Sequence, residues 1–339
     1  MLTADFYYNF PEHLVATKPH ENFRTMWLGA NDSLPSEIAK NELLLRLNPG
    51  DVLAINDTRV LRRRVTALNG LEILFLKQIS ANNWEVLCPA SKLRNGEEFC
   101  LPNDINARLE ARGLPQKLWV SKPFDENYFV KHGELALPPY IQKARGNRKN
   151  YPEEEKWYQT AWAEKLGSQA APTASLHFTN SDLDFLRGRG VQIAPLTLHV
   201  GMGTFLPIKS KSLEEHHMHN ESTQVPLSTI KIISHAKSKN KKVWALGTTV
   251  TRALESWGHG LLREDANRDF IGDTELFIRP GFRFEVVDGL FTNFHQPCST
   301  LLALVSAFAG RDRVISSYEW AISQNFRLFS YGDLTAWTR

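Results

Sequence analysis

The stretch DGLFTNFHQPCST, residues 288–300, decides how this chain is read. An apolar, strand-like run at 290–294 carries Asn293, and His295 follows at its exit. Pro297 then breaks the chain, and Ser299 and Thr300 offer an N-cap for an apolar helix over 301–309. A strand end that opens into a helix N-terminus presents unpaired backbone N–H groups, and α/β proteins place ligands there. The same polar exit recurs in APTASLHFTNSD (171–182), LTLHVGMGTF (196–205) and VWALGTTVTRALES (243–256). Four such junctions in one half of a chain predict a single composite active site.

Working outward, a helix is expected over 36–47, stopped by Pro49 and Gly50. A buried strand over 51–56 (DVLAIN) then runs into Asp57, Thr58 and Arg59. From about 64 to 149 the texture changes to short alternating runs, separated by turn signals at Asn69-Gly70, Asn82-Asn83 and Asn95-Gly96. Asn-Gly between short strands is a hairpin signal, so this part reads as a small antiparallel barrel or sandwich. Beyond residue 150 strands alternate again with helices, expected over 181–187, 227–237, 249–257, 299–309 and 317–325. The fold class is therefore α/β. Both chain ends, 1–62 and 151–339, form a layered sheet unit, and 63–150 form an inserted antiparallel β-barrel.

At 339 residues, two domains are the default expectation. Hydrophobic and charged fractions of 42% and 23% are those of a globular chain and argue against disorder. A net charge of only +3 admits an anionic polymer as partner if the basic residues are clustered. Two clusters exist, Arg62-Arg63-Arg64 and KARGNRK (143–149), one at each expected crossing between the two parts. Cys88, Cys100 and Cys298 have no C-x-x-C spacing, so neither a disulfide framework nor a thiolate zinc site follows. No signal region opens the chain and no run of eighteen apolar residues occurs, so a soluble cytoplasmic protein without a membrane partner is expected.

His177, His199, His217, His219 and His295 all lie in or beside the four junctions. In an extended HMHNE (217–221), His217, His219 and Glu221 would share one face, a pattern that suits a metal or a pocket wall. Thr248 and Thr249 sit where they can cap a helix or bond a sugar or carboxylate. Arg252 and Glu255 follow three apart, and the plain reading is an ion pair on the helix surface. Arg59 either fixes Asp57 or faces a ligand with it. Asp333 ends an apolar run near the C-terminus.

Together these segments resemble the S-adenosylmethionine:tRNA ribosyltransferase-isomerase family of queuosine biosynthesis. The resemblance is carried by PGDVLAINDTRV (49–60), LPPYI (137–141), GSQAAPTASLHFT (167–179) and TLHVGMGTF (197–205). It continues through HHMHNE (216–221), GTTVTRALES (247–256), the long block 272–310 and FRLFSYGD (326–333). It implies an α/β unit interrupted by a β-barrel. It also implies transfer of the ribosyl part of S-adenosylmethionine to 7-aminomethyl-7-deazaguanine in the tRNA anticodon, with release of adenine and methionine. S-adenosylmethionine is then a consumed co-substrate. No permanently bound cofactor and no metal are expected, and the protein should act as a monomer on tRNA.

On this footing the expected catalytic residues are His295, His177, His199, Asp333 and Asn293. His295 is favoured as acid/base, with Asp333 as its orienter or as a contact to the sulfonium. Asp57, Arg59, Thr204, His217, His219, Glu221, Thr248, Thr249 and Arg252 are expected to bind substrate. Departures from the family pattern at Ser175, Gln296, Asn220, Arg62 and Leu334-Thr335 remove no proton-transfer group and leave room for an altered tRNA preference. Two other classes compete: a metal-dependent hydrolase using His217, His219, Glu221 and His295, and an inactive tRNA-binding module.

Overall fold

The computed structural model describes residues 1–93, 96–147, 149–201, 203 and 208–339. Its centre is a ten-stranded mixed sheet. In spatial order the strands are Arg263–Glu264, Phe270–Thr274, Glu221–Val225, Gln192–Leu198, Val52–Asn56, Val243–Leu246, Gly289–Asn293, Leu334–Thr338, Thr25–Leu28 and Ser36–Ile38. Both chain ends therefore build one sheet, as expected. The four middle strands, from Gln192–Leu198 to Gly289–Asn293, run parallel. They are short and apolar because both faces are covered.

The pleat sends alternate side chains to opposite faces. Val52, Ala54, Val243, Ala245 and Leu290 join one core, with the helices Leu227–Ser238, Thr248–Gly258, Thr300–Ala309 and Arg311–Ser323 packed over it. Leu53, Ile55, Trp244, Leu246 and Phe291 join the other, under Lys40–Leu45 and Asn180–Gly188. The result is three layers.

Two helix expectations need correction. Residues 36–38 are an edge strand paired antiparallel with Thr25–Leu28, and only Lys40–Leu45 is helical. The last helix begins at Arg311, not at 317. Gly310 at φ +88° ends one helix and turns the chain directly into the next, whose buried Val314, Ser317, Tyr318 and Ala321 keep helical spacing.

The second sheet has seven antiparallel strands, ordered Gly133–Glu134, Arg64–Thr66, Glu72–Ser80, Asn83–Leu87, Gln116–Val120, Ile105–Ala111 and Glu98–Leu101. It curls around its own core of Val65, Ile73, Phe75, Trp84, Leu118 and Phe129. The Leu68 N–H donates to the Cys100 carbonyl at 2.8 Å and draws the far ends together, but among the described residues no strand ladder closes the ring. The expected barrel is thus a half-barrel. Its first hairpin does use Asn69-Gly70: Gly70 has φ +82° and Asn69 Oδ1 accepts from the Leu71 N–H. Leu135, Leu137 and Ile141 already pack into the core of the large sheet, ahead of the expected boundary at 150.

Four arginines of the two basic clusters are paired with carboxylates. Arg63 and Arg64 are buried, paired with Glu126 and with Glu134. Arg62 meets Glu155 at 3.3 Å, and Lys143 meets Glu12 at 2.7 Å. Arg145 is buried against Glu154 and also donates to the Thr17 carbonyl at 3.0 Å. The Arg63, Arg64 and Arg145 side chains are thus internal ties, whereas Lys143 and Lys149 are exposed and Arg148 lies outside the described residues. Of these partners Glu154 is buried, while Glu126 and Glu134 are exposed.

Candidate active site

The carboxyl ends of the four parallel strands are Leu198, Asn56, Leu246 and Asn293. All four junctions noted in the sequence meet there, at the edge of a cleft of about 790 Å³. A cleft beyond the carboxyl ends of parallel strands is the usual ligand site of an open α/β sheet. Thr173, Gly247, Thr248, Asn293 and His295 form its polar wall, and Pro138, Phe294, Leu301 and Phe329 are among its apolar residues.

Asn56 ties the strand ends together. Fully buried, it donates to the Leu198 carbonyl at 2.9 Å and to Thr249 Oγ1 at 3.3 Å, and accepts from the Leu198 and Thr58 N–H groups. The sequence marks it as the polar end of a buried strand, a signal that was not carried into the expected site residues. Asp57 accepts from Thr197 Oγ1 at 2.6 Å and faces Lys165 Nζ at 3.7 Å. Arg59 does not fix it, since its side chain is exposed on the two-stranded pairing of Thr58–Val60 with Lys165–Ser168.

His295 lines the cleft and is buried. One ring nitrogen, Nε2, lies 2.9 Å from Thr292 Oγ1, its backbone N–H donates to the Tyr318 hydroxyl, and its carbonyl accepts from Tyr8. Nδ1 has no partner among the described residues. Burial lowers its pKa to about 3, so the imidazole is neutral at physiological pH. Asp333 is not its orienter. That carboxylate is itself buried and accepts the N–H groups of Arg24 at 2.9 Å and Arg327 at 2.7 Å, tying two loops. Burial raises its pKa against those bonds.

Asn293 also lines the cleft, held from behind at both ends. Thr173 Oγ1 donates to its Oδ1 at 2.8 Å, and its Nδ2 donates to His177 Nε2 at 3.0 Å. His177 is itself outside the lining, packed on Phe23, and burial followed by repulsion from Lys40 and Arg327 lowers its pKa to about 3. A neutral ring can accept that bond. His199 stands in a similar relation to another junction: Nδ1 is 2.7 Å from Thr58 Oγ1, and burial, the largest cause, lowers its pKa. Its ring lies so close to Gly167 that a Cβ there would come within 2.6 Å of Cε1.

Glu221 and Arg252 both line the cleft and pair with each other. The expected surface pair Arg252–Glu255 does not form: the Glu255 carboxylate is fully buried and accepts the N–H groups of residues 285–287. His219 is in the lining, but His217 is exposed and is not. The chain twists, so that His216, which the sequence reading left out, takes a place in the wall. Burial, then the neighbouring His219 and His217, lower the His216 pKa. Among the described residues no group of three or more His, Cys, Asp or Glu side chains is arranged to hold a metal ion. Thr249 lines the cleft; Thr204 lies outside the described residues. Tyr140 and Ser330, hydrogen-bonded to each other, complete a wall that sequence reading did not assign. Among the departures, Gln296 faces the cleft and Ser175 is buried. Among the described residues no helix is long and apolar enough to cross a membrane.

A family profile described as queuosine biosynthesis protein matches residues 3–336. Proteins named S-adenosylmethionine:tRNA ribosyltransferase-isomerase are similar along nearly the whole chain. That of Halothermothrix orenii is 40% identical and that of Syntrophotalea carbinolica 38%, each with 98% of both chains covered. A crystal structure of the S-adenosylmethionine tRNA ribosyltransferase from Thermotoga maritima matches with a TM-score of 0.56 at 29% identity, over 98% of this chain and 99% of that one.

Proposed function

This chain belongs to the family of queuosine biosynthesis proteins, and from that premise we propose that it acts as an S-adenosylmethionine:tRNA ribosyltransferase-isomerase. The ribosyl part of S-adenosylmethionine passes to the aminomethyl group of 7-aminomethyl-7-deazaguanine in the tRNA anticodon, giving epoxyqueuosine and releasing adenine and methionine. The same proposal has the protein working in the cytoplasm as a monomer, without a resident cofactor.

The observation that carries this reading is the convergence of four strand ends on one cleft whose wall holds a neutral, buried imidazole beside an anchored Asn293. A sulfonium acidifies the adjacent C5′ protons, so the base that removes one must hold a free lone pair. His295 is kept in that form by burial, with Nε2 engaged by Thr292 and Nδ1 left for substrate. Asn293, fixed by Thr173 and His177, supplies a preorganised polar group for the ribose hydroxyls or the departing adenine. In this scheme His177 and His199 position other groups and do not touch substrate. His216 and His219 help to shape the cleft.

The test is product analysis with tRNA carrying the deazaguanine precursor. Adenine and methionine should appear in equal amounts, with no methyl group on the RNA. S-adenosylhomocysteine as the main product would make the protein a methyltransferase and overturn the proposal.

A further inference from the structure

The helix Thr248–Gly258 starts at the cleft without a side-chain cap. Its N-cap is Gly247, at φ +101°, which has no side chain to offer. The neighbouring helices at Asn180–Gly188 and Thr300–Ala309 are capped by Thr179 and Ser299, which accept the N–H groups of Asp182 and Leu302. No backbone or side-chain acceptor meets the Thr248, Thr249 or Val250 N–H among the described residues. This helix end is also buried, since Thr248 is 6% exposed and Val250 fully enclosed. A buried helix N-terminus with orphan donors calls for a partner, and its dipole favours a negative one.

The Thr248 side chain is the second, independent sign. More than nine-tenths buried and part of the cleft wall, its hydroxyl has no hydrogen-bond partner among the described residues. The one cation on this helix near the site, Arg252, is already neutralised by Glu221, so it does not compete for an incoming anion. Gly247 keeps the approach open: the atoms nearest to a Cβ built there are Thr249 Oγ1 at 3.7 Å and the Ala174 methyl at 3.8 Å.

We infer that the first turn of this helix, with the Thr248 hydroxyl, is the subsite for a carboxylate, namely that of the methionine end of S-adenosylmethionine. The inference rests on the proposed use of that co-substrate, whose only anionic group is this carboxylate. A phosphate of the RNA is disfavoured, because it arrives on a bulky backbone that needs open surface, whereas these donors lie inside the cleft. Placing the carboxylate here keeps the sulfonium and ribose within the cleft that Asn293 and His295 also line.

The experiment is calorimetric titration of the full chain with S-adenosylmethionine and with its decarboxylated analogue, which keeps the sulfonium and adenosine. Wild type should bind the carboxylated form roughly tenfold or more tighter, the range for hydrogen bonds to a charged group. Thr248→Val should weaken that preference several-fold, since the backbone donors remain, while leaving affinity for the decarboxylated form within about twofold, and Thr248→Ser should restore it, since the hydroxyl returns. Equal loss for both ligands in Thr248→Val, or no preference in wild type, overturns the subsite while leaving the proposed function standing. Absence of binding and turnover with both ligands in wild type overturns the proposed function and this subsite with it.

Discussion

Arg252 and Glu221 form an ion pair inside the cleft wall, each side chain only 6% exposed, linking the helix Thr248–Gly258 to the strand Glu221–Val225. Glu221 also accepts the Gly201 N–H at 3.0 Å, and Arg252 donates through Nε to the Leu276 carbonyl at 3.1 Å. Four segments therefore depend on two largely buried charges.

Removing one of the two should cost far more than removing both. Glu221→Gln leaves a buried guanidinium without its counter-charge, an effect of about 3–5 kcal/mol. Glu221→Gln combined with Arg252→Met should recover a large part of that loss, as read from urea unfolding. Additive losses in the double variant would show that the two side chains are not coupled.

His295→Ala should lower turnover on the order of a hundredfold, because the proton transfer assigned to its imidazole is lost. His177→Ala should reduce turnover less, acting only through Asn293, and should add nothing in an Asn293→Ala background. Unchanged turnover in His295→Ala would reduce that residue to a packing role.

Acid should destabilise the fold earlier than carboxylate titration alone predicts. His177 and His295 have pKa values of about 3 in the folded chain against an unfolded value near 6.5. Below pH 6.5 the unfolded state therefore binds more protons, and stability falls as pH falls. The slope approaches about 1.4 kcal/mol per pH unit for each histidine until the folded pKa is reached. Urea midpoints at pH 7, 6 and 5 should decline less steeply in His177→Asn than in wild type. Parallel profiles would show that His177 is protonated in the folded state.

Arg63 and Arg145 should matter for stability and not for RNA affinity. Each is buried on a carboxylate, and Arg63 also covers the Phe129 ring at 4.1 Å. Arg63→Met or Arg145→Met should lower the urea midpoint while the salt dependence of tRNA binding keeps its slope. A slope flatter by about 0.7–0.9 per charge removed would instead place these groups on phosphates.

What the sequence alone determined is local. An apolar run closed by a polar residue and followed by a capped helix names its own structure, because pleat, helix period and capping act within a few residues. That is why 290–294, 243–246 and the helix after Ser299 were legible, and why four junctions pointed to one cleft. Asn69-Gly70 announced its hairpin for the same reason.

Tertiary structure decided which side chains remain available, and that depends on partners far away in the chain. Arg63 looked free until Glu126, 63 residues on, enclosed it; Arg252 found Glu221, 31 residues back, in place of its neighbour Glu255. Asp57 was claimed by Thr197, 140 residues distant. His217 and His216 are adjacent, yet only the second reaches the wall, because the path of the chain against the cleft sets which one faces inward. Burial and charge pairing arise from packing between distant segments, so no local pattern carries them.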